Sequence, residues 1–553
     1  MNEQKNLLLA IVVSLLILLI FQYFFPTNKE DIYTKEESKN LEMGKEIFVQ
    51  NNKKREEIIN EQERVFFSKD SRLKGSISLK GLRFDDIILK DYNETVDKES
   101  ELISILSPKE TKNAYFADFG WMTSQNIDIP REDTVWEIVS GDQLGPNRPI
   151  VFKWTSPDNV VFVREVSLDK NFLFSIKQTV INNSKSTINV TPYGRLNRKG
   201  TPETSGFYIL HEGPIGVLNE RLLEIDYDDL FDKNITRTSS IGGWLGITDK
   251  YWLAALIPNQ ENSIEAGFKA TRNNFSRYQA DYTGPSYQID KGQETSFMTN
   301  LFVGAKEVKL LDSYADKLAI IMFDRSVDFG WFYVITKPLF LLLHWFSGIF
   351  GNVGLSILAL TVVIRIILFP LANKSFKSMS KMKLLSPKMQ DIRERFKNDK
   401  MRMQQEIMTL YKSEKVNPLS GCLPILIQIP IFFALYKVLF VTLETRHEPF
   451  YGWIKDLSAP DPTTIFNVFG LFSFTPPSFL MIGAWPLLMA FTMYLQQKLN
   501  PAPPDPLQAK IMSFLPLVFL FLFATFPAGL VIYWTWNNIL SIGQQWIIMR
   551  KKN

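Results

Sequence analysis

Long apolar runs are the strongest pattern along this chain. A transmembrane helix needs about 20 predominantly apolar residues. Runs of roughly this length lie at positions 7–25, 354–371, 422–442, 479–497, 511–526 and 529–548. The first run is long, and no small-x-small cleavage site precedes the polar region after it, so an uncleaved anchor is favoured over a signal peptide. The pattern therefore predicts six transmembrane helices: an anchor at 1–26, a second helix at 353–372 and four more within 421–549.

A different pattern fills the space between the first two runs. Residues 27–62 are charged and poor in aromatics, which predicts a flexible tether. From 63 to 324, short apolar or alternating runs recur at 79–89, 160–166, 172–181 and 296–303, separated by turn clusters. This spacing predicts a large all-β sandwich. The stretch 242–252, rich in glycine and aromatics, either lines a cleft or packs a sheet corner, and packing is favoured.

Residues 325–352 combine aromatics with sparse polar groups, including Trp331, Tyr333, Lys337 and Trp345. Tryptophan and tyrosine are enriched at headgroup depth, so this segment predicts an amphipathic helix lying on the membrane surface. With only this helix and the tether joining the sandwich to the membrane part, we expect few contacts across that boundary.

A basic segment, residues 373–420, interrupts the membrane part. It contains twelve Lys and Arg against five acids, a net charge of +7, although the whole chain carries only +4. Apolar residues at helical spacing predict two helices that pair face to face: Met389, Ile392 and Phe396, then Met403, Ile407 and Leu410. The positive-inside rule places this hairpin in the cytoplasm, together with both termini and the tail 550–553, and so places the β domain outside. Its charge either sets topology alone or docks ribosome, nascent chain or anionic lipid, with these candidate residues: Lys381, Lys383, Lys388, Arg393 and Arg395.

Composition agrees with a mixed protein. Of 553 residues, 46% are hydrophobic, yet mean hydropathy is −0.04, so a large soluble part must dilute the spans. The single cysteine, Cys422, excludes an internal disulfide and a Cys-rich metal site, and the three histidines (His211, His344, His447) are scattered. No phosphate-binding Gly-x4-Gly-Lys-[Ser/Thr] loop occurs. We therefore expect no cofactor and no metal.

Arg365 is the exceptional residue of the second run. It lies roughly 9 Å from the end of that run, and a charge within the hydrocarbon costs about 2.5–3.5 kcal/mol on insertion scales. Either the side chain snorkels to the nearby interface or a hydrated cavity holds it inside the membrane. Other sparse polar residues of the runs would line such a cavity, although each alone is more often a bond between helices: Thr361, Gln428, Gln496, Gln497, Asn537 and Asn538.

Four segments carry a resemblance to a known family. They are 355–370, Pro-Lys-Met-Gln at 387–390, 412–430 with its Asn-Pro-Leu-Ser-Gly-Cys-Leu-Pro, and Phe-Pro-Ala-Gly-Leu-Val-Ile-Tyr-Trp at 526–534. With the β domain after an anchor, the chain resembles the YidC/Oxa/Alb family of membrane protein insertases in its Gram-negative form.

The resemblance implies a five-helix core enclosing a hydrophilic groove that contains Arg365, with Thr361, Gln428 and Trp534 facing the groove or its apolar slide. Some relatives carry tyrosine at the position of Trp534. It further implies a non-enzymatic insertase and chaperone of the bacterial inner membrane, acting alone or with the Sec translocon and its accessory subunits. Nascent membrane proteins, membrane lipids and the ribosome are the other expected partners.

Two alternatives belong to other classes. A secondary transporter should show paired halves and intramembrane acids, and the last five runs have neither an evident repeat nor an acid at their centres. The β domain resembles sugar-mutarotase sandwiches, which raises an enzyme alternative. That chemistry requires a histidine and carboxylate set, and the β domain offers only His211.

Overall fold

The computed structural model describes residues 53–204, 210–232, 237–272, 275–414, 416, 423–469, 472, 474, 476–477, 481–499 and 506–550. The predicted anchor, most of the predicted tether and the tail 551–553 lie outside the described residues.

Nineteen strands occur in the described part of the chain. They are β1 Arg64–Phe66, β2 Leu73–Ser78, β3 Arg83–Asn93, β4 Leu102–Leu106, β5 Tyr115–Met122, β6 Glu137–Ser140, β7 Ile150–Thr155, β8 Val160–Leu168, β9 Leu173–Asn182, β10 Ile188–Lys199, β11 Gly213–Leu218, β12 Arg221–Glu224, β13 Thr238–Ile241, β14 Trp244–Thr248, β15 Trp252–Pro258, β16 Ser263–Arg272, β17 Ser276–Thr283, β18 Tyr287–Ile289 and β19 Glu294–Ala305. The four runs singled out in the sequence become β3, β8, β9 and β19.

The strands form two antiparallel sheets. One follows the order β1-β2-β3-β5-β10-β17-β16-β13, with β4 beside β3 and β18 beside β10, and the other follows β12-β11-β14-β15-β19-β9-β8-β7-β6. The sheets meet through aromatic side chains, since the rings of Phe84 on β3 and Phe174 on β9 lie 5.3 Å apart. The predicted β-sandwich is therefore confirmed.

The stretch 242–252 packs a sheet corner, as favoured. Gly242 and Gly243 adopt positive φ angles of 62° and 89°, a backbone conformation that residues with a Cβ atom rarely adopt. Trp244 follows with no exposed surface, and its indole Nε1 donates to the carbonyl oxygen of Ile321 at 3.1 Å. The aromatic ring is thus a core anchor and lines no cleft.

The predicted tether ends earlier than position 62. Residues Arg55–Glu61 form helix α1, whose Ile58 is buried. Arg55 Nε donates to a carboxylate oxygen of Asp86 on β3 at 2.8 Å. A buried apolar side chain and an ion pair thus help to dock this charged segment on the sandwich, so extending the tether through residues 55–61 was wrong.

The remaining helices of the described chain follow in order. They are α2 Asp229–Asp232, α3 Val308–Lys317, α4 Tyr333–Phe350, α5 Val353–Leu384, α6 Ser386–Arg395, α7 Lys400–Ser413, α8 Leu423–Val441, α9 Ala484–Leu499, α10 Pro506–Phe523 and α11 Ala528–Arg550.

Helix α5 crosses a predicted boundary. The sequence places the end of this helix at residue 372, just after Pro370, but α5 continues to Leu384 with Pro370 inside it. A proline removes one helical hydrogen bond, and here the flanking turns maintain the helix. Lys381 and Lys383 therefore belong to α5, and the hairpin proper consists of α6 and α7.

Two described helices are long and apolar enough to cross a membrane by length and composition: Tyr333–Phe350 and Val353–Met382. Gln428–Val441 and Lys510–Phe523 are apolar but shorter. The count of six spans thus stays a prediction. Helix α4 passes the same test as a span, so its location on the membrane surface also stays a prediction.

The β domain and the helical region make several contacts, contrary to our expectation. Arg446, after α8, donates to the backbone oxygens of Asn93 at 2.7 Å and Glu94 at 3.1 Å. Lys337 on α4 pairs with Asp312 at 2.8 Å and with Asp324 at 2.9 Å. The expectation was wrong because it considered chain connectivity alone, whereas the loop after α8 folds back onto the sandwich.

Candidate functional site

Arg365 lies against α11. Its Nε donates to the side-chain oxygen of Asn537 at 2.9 Å, and one terminal nitrogen donates to the Asn537 backbone oxygen at 3.1 Å and to Ser541 Oγ at 2.6 Å. The side chain is half-buried. Neutral oxygens of a neighbouring helix therefore solvate the guanidinium, and snorkelling to the interface alone does not describe it.

These partners belong to a polar stripe on α11. Tyr533, Asn537, Ser541 and Gln545 are spaced four residues apart, so they share one helix face. Their exposed fractions are 1%, 8%, 1% and 1%, so this face points into the protein. An apolar helix with a buried polar stripe has its partners within the helical region, which fixes the rotation of α11.

The charge of Arg365 is not neutralised. Among the described residues, no carboxylate forms an ion pair with it, and its three bonds go to amide and hydroxyl oxygens. Such bonds orient a guanidinium and leave its net charge for a further anion. The site is thus suited to attract one acidic group into an apolar surrounding.

Gln428 and Thr361 occupy different places around this charge. Gln428, on α8, donates from its side-chain nitrogen to the Tyr533 hydroxyl at 2.6 Å, which links it to the polar stripe. Thr361 is one turn before Arg365 and 1% exposed, and its hydroxyl donates to the Ile357 carbonyl of its own helix at 2.6 Å. Gln428 therefore joins the site, while Thr361 is satisfied within α5.

Trp534 forms the centre of an aromatic cluster. Its ring lies 4.6 Å from Phe432 on α8, 5.2 Å from Phe523 on α10 and 6.1 Å from Phe519 on α10. Such ring pairs contribute about 0.5–1.5 kcal/mol beyond burial. Because Trp534 directly follows Tyr533, an apolar surface adjoins the polar stripe.

The other polar candidates bond between helices. Asn538 is 3% exposed, and its side-chain nitrogen donates to Thr492 Oγ1 on α9 at 3.1 Å. Gln497 donates to the backbone oxygen of Met512 on α10. Gln496 is half-buried. No hydrogen bond joins these three side chains to Arg365, so of the amide candidates only Asn537 contacts the charge directly.

Sequence reasoning missed Tyr533 and Ser541. Both could have been found by extending from Asn537 in steps of four residues, since Tyr533, Asn537 and Ser541 repeat on one helix face. What the spacing alone does not give is the rotation of α11, and hence which face meets Arg365.

The basic hairpin has most of the predicted seam. Met389, Ile392, Met403, Ile407 and Leu410 all pack in one cluster. Tyr411 was not predicted, yet it joins the cluster and donates to the sulfur of Met389 at 3.1 Å. The prediction that Phe396 belongs to the seam was wrong, because its ring lies outside the cluster, beneath the Arg402 guanidinium.

The candidate docking residues of the basic segment are largely exposed. Lys381 and Arg395 are exposed, Arg393 is half-buried, and Lys388 pairs with Glu414 at 2.7 Å. Exposed pairs of this kind contribute little to stability. The surface is therefore basic and accessible, and its docking role stays a prediction.

His211 has carboxylate neighbours that the sequence did not indicate. Its Nδ1 lies 3.7 Å from Asp226 Oδ1, its backbone N–H donates to Asp328 at 3.0 Å, and its Nε2 is 3.0 Å from the Pro214 carbonyl oxygen. The last contact engages one ring nitrogen with the chain itself. Among the described residues, no group of three or more His, Cys, Asp and Glu side chains could hold a metal ion.

Two family models match this chain. One, described as 60Kd inner membrane protein, matches residues 345–553, and the other, described as YidC periplasmic domain, matches residues 69–342. The membrane protein insertases YidC of Rickettsia rickettsii (strain Iowa) and Rickettsia prowazekii (strain Madrid E) are each 49% identical over 563 residues, covering 99% of this chain and of each relative.

Solved structures also align with it. An active YidC insertase with its first transmembrane domain resolved covers 88% of this chain and 95% of its own, at 16% identity and a TM-score of 0.36. A galactose mutarotase-like protein from Lactobacillus casei ATCC 334 covers 44% of this chain and 100% of its own, at 10% identity and a TM-score of 0.30.

The two family models together cover most of the sequence, and the relatives match it almost end to end. The curated relatives are insertases and not enzymes, which agrees with the expectation of a non-enzymatic function. The resemblance seen in the sequence is confirmed, and the chain belongs to the YidC family of membrane protein insertases.

Proposed function

We propose that this protein takes nascent membrane proteins into a hydrophilic groove around Arg365 and releases their transmembrane segments into the bilayer. The observation that carries the proposal is the unneutralised guanidinium of Arg365, which neutral oxygens of Asn537 and Ser541 hold within an apolar helical region. A fixed positive charge there attracts an acidic or polar external segment of a client and lowers its cost of entering the membrane.

The aromatic cluster supplies the complementary half of the groove. Trp534 and its phenylalanine neighbours lie beside the polar stripe, so a client's apolar helix meets an apolar surface while its polar tail stays near Arg365. Helix α10 also exposes Phe514, Leu517, Val518 and Phe521. An outward apolar face of this kind contacts lipid, which provides the destination of the released helix.

The basic hairpin is proposed to dock the emerging chain. It follows the Arg365 helix α5 directly and precedes α8, which supports a position at the cytoplasmic mouth of the groove. Its exposed cations favour ribosomal RNA or anionic headgroups through a salt-sensitive attraction. We place the protein in the bacterial inner membrane with both termini cytoplasmic and the β domain periplasmic, and we propose that it acts as insertase and chaperone, alone or with the Sec translocon and its accessory subunits.

Photocrosslinking during synthesis of a short membrane protein tests this proposal. A photoreactive residue at Gln428 or at Trp534 should give client adducts while the client is being inserted. Trp345 on α4 is the control position, because it is 59% exposed and outside the proposed groove. The groove would be abandoned if Trp345 captured the client and neither Gln428 nor Trp534 did so.

A further inference from the structure

A cavity of about 930 Å³ lies where the β domain meets helices α4 and α8. This is within the volume of small-molecule sites, which are roughly 300–1,000 Å³. It is separate from the groove, because its lining includes neither Arg365 nor any residue of α11. Its two ends differ in chemistry.

The end at the β domain is polar. His211 and Asp226 face it from the loops around β11 and β12, Glu224 from the end of β12, Asp328 from the chain before α4, and Lys437 from α8. Lys437 Nζ pairs with Asp328 at 2.7 Å. The cavity thus brings side chains of the β domain, the connecting segment and α8 to one place.

Glu224 stands out within this cluster. Its carboxylate makes no hydrogen bond or ion pair to the residues that the structure describes, although it lies close enough to Lys437 to be influenced by that charge. Glu224 is exposed, yet desolvation by the surrounding chain, together with the nearby Asp328, raises the pKa of its carboxyl above the ordinary value. A carboxylate in this position gains most from a cationic donor that comes with the ligand.

The charged residues that line the cavity also favour a cationic group on the ligand. Three carboxylates, Glu224, Asp226 and Asp328, face two cations, Lys437 and Arg325, so the lining has one excess negative charge apart from His211. Arg325 lies 3.4 Å above the ring of Tyr333, which fixes the position of the guanidinium. The excess of carboxylates favours a cationic group on the ligand beside Glu224 and Asp226, and Arg325 favours an anionic group; a zwitterionic ligand satisfies both without changing the net charge.

The other end is apolar. It is lined by Phe329 and Trp331 from the segment before α4 and by Ile429 and Phe433 from α8. Phe433 and Ile429 are each 44% exposed and lie one and two turns along α8 from Lys437, about 6 and 12 Å away. Tryptophan is typical of headgroup depth, so the cavity leads from a polar site at the membrane surface into the hydrocarbon.

We propose that this cavity binds one phospholipid of the ethanolamine class, with its primary ammonium at Glu224 and Asp226, its phosphate at Arg325 and its acyl chains along Phe433 and Ile429. A primary ammonium offers three hydrogen-bond donors to carboxylates. A quaternary ammonium has no N–H to donate, and a glycerol headgroup has no cation. This lipid site is independent of client insertion and links the β domain to α4 and α8.

Retained-lipid analysis of the full chain tests the site. The protein is incorporated into nanodiscs containing equal amounts of ethanolamine, choline and glycerol phospholipids, extracted in mild detergent, and examined by native mass spectrometry. We expect one retained ethanolamine phospholipid, preferred about tenfold over either competitor. Equal retention of the three headgroups overturns the proposal.

Two variants separate headgroup recognition from general lipid adhesion. Glu224→Gln should reduce the ethanolamine preference toward one, whereas Glu220→Gln, an exposed change in the β11–β12 turn, should leave it unchanged. Phe433→Ala should lower the total retained lipid while the headgroup preference persists. An ethanolamine preference that survives Glu224→Gln, or that Glu220→Gln removes equally, shows that the cavity does not read the headgroup.

Discussion

Replacing Arg365 with alanine should slow insertion most for clients with an acidic external segment. The change removes the guanidinium and its three hydrogen bonds to Asn537 and Ser541. The charge effect is separable from the structural one, because only the charge effect depends on the client. A client whose external aspartate is replaced by asparagine supplies the matched partner for a double-mutant cycle.

The magnitude follows from the geometry. A charge pair at about 4 Å is worth roughly 4 kcal/mol at an effective dielectric constant near 20. Arg365 is half-buried, so solvent screening and the client's desolvation reduce this to about 1.5–2 kcal/mol. Since 1.36 kcal/mol is tenfold in rate, Arg365→Ala should slow the acidic client roughly 10–30-fold more than the neutral one.

The assay is the initial rate of protease-protected client formed in proteoliposomes with matched amounts of each variant. Arg365→Lys should recover most of the difference between clients, because it keeps the charge and loses only the planar geometry. Ser541→Ala is the structural control, since it removes two hydrogen bonds, the one that Arg365 donates to Ser541 and the one that Ser541 donates to the Asn537 backbone oxygen, and no charge. It should affect both clients equally. If Arg365→Ala slowed the acidic and neutral clients by the same factor, the electrostatic mechanism would be refuted.

Three further predictions follow from other parts of the molecule. Glu444, in the loop after α8, accepts from the backbone N–H of Val308 at 3.3 Å, and burial raises its pKa from 4.5 to about 7. The folded state therefore holds this proton more tightly than the unfolded state. The free energy of unfolding should fall by up to about 3 kcal/mol as the pH rises from 4.5 to 7, and thermal unfolding of Glu444→Gln should lack this pH dependence. Changing Lys381, Lys383 and Lys388 to glutamine should weaken client capture at low salt and leave the melting temperature nearly unchanged. If this triple variant inserted clients normally at both low and high salt, the charge of the basic hairpin would serve topology alone. Deleting residues 63–317 should preserve insertion but lower the melting temperature of the helical region, because the contacts of Arg446 with Asn93 and Glu94 are lost; a variant at normal membrane levels that inserts no client would contradict this.

The β-sandwich was predictable because each strand carries its own local signal. In β8 and β9, side chains alternate between buried and more exposed positions, and this period of two is visible in the sequence. Helix α1 was not predictable, since its attachment depends on Ile58 and on an ion pair between Arg55 and Asp86, which are 31 residues apart. Local composition there is that of a tether.

The site was predictable in part for the same reason. Hydropathy alone singles out Arg365 as a charge within an apolar run. Its partners Asn537 and Ser541 are 172 and 176 residues further along the chain, and no local pattern relates the rotations of two helices. Pro370 led to a wrong prediction of where α5 ends. A proline usually marks a helix boundary, yet α5 continues through it.

Pro370 divides α5 into two arms that are held to α11 by different interactions, hydrogen bonds before the proline and apolar packing after it. The proline has no N–H to donate to the carbonyl of Ile366, so bending of the helix concentrates at this turn. Toward the N-terminus, Arg365 is bonded to α11 and stays in place. Toward the C-terminus, the arm from Pro370 to Leu384 spans about 21 Å, so each 10° of bending moves the start of the hairpin by about 4 Å. Ala372, Phe376 and Met379 in this arm pack with Ile548 of α11. The basic hairpin can therefore shift only as far as this apolar contact yields, while Arg365 remains bonded to α11.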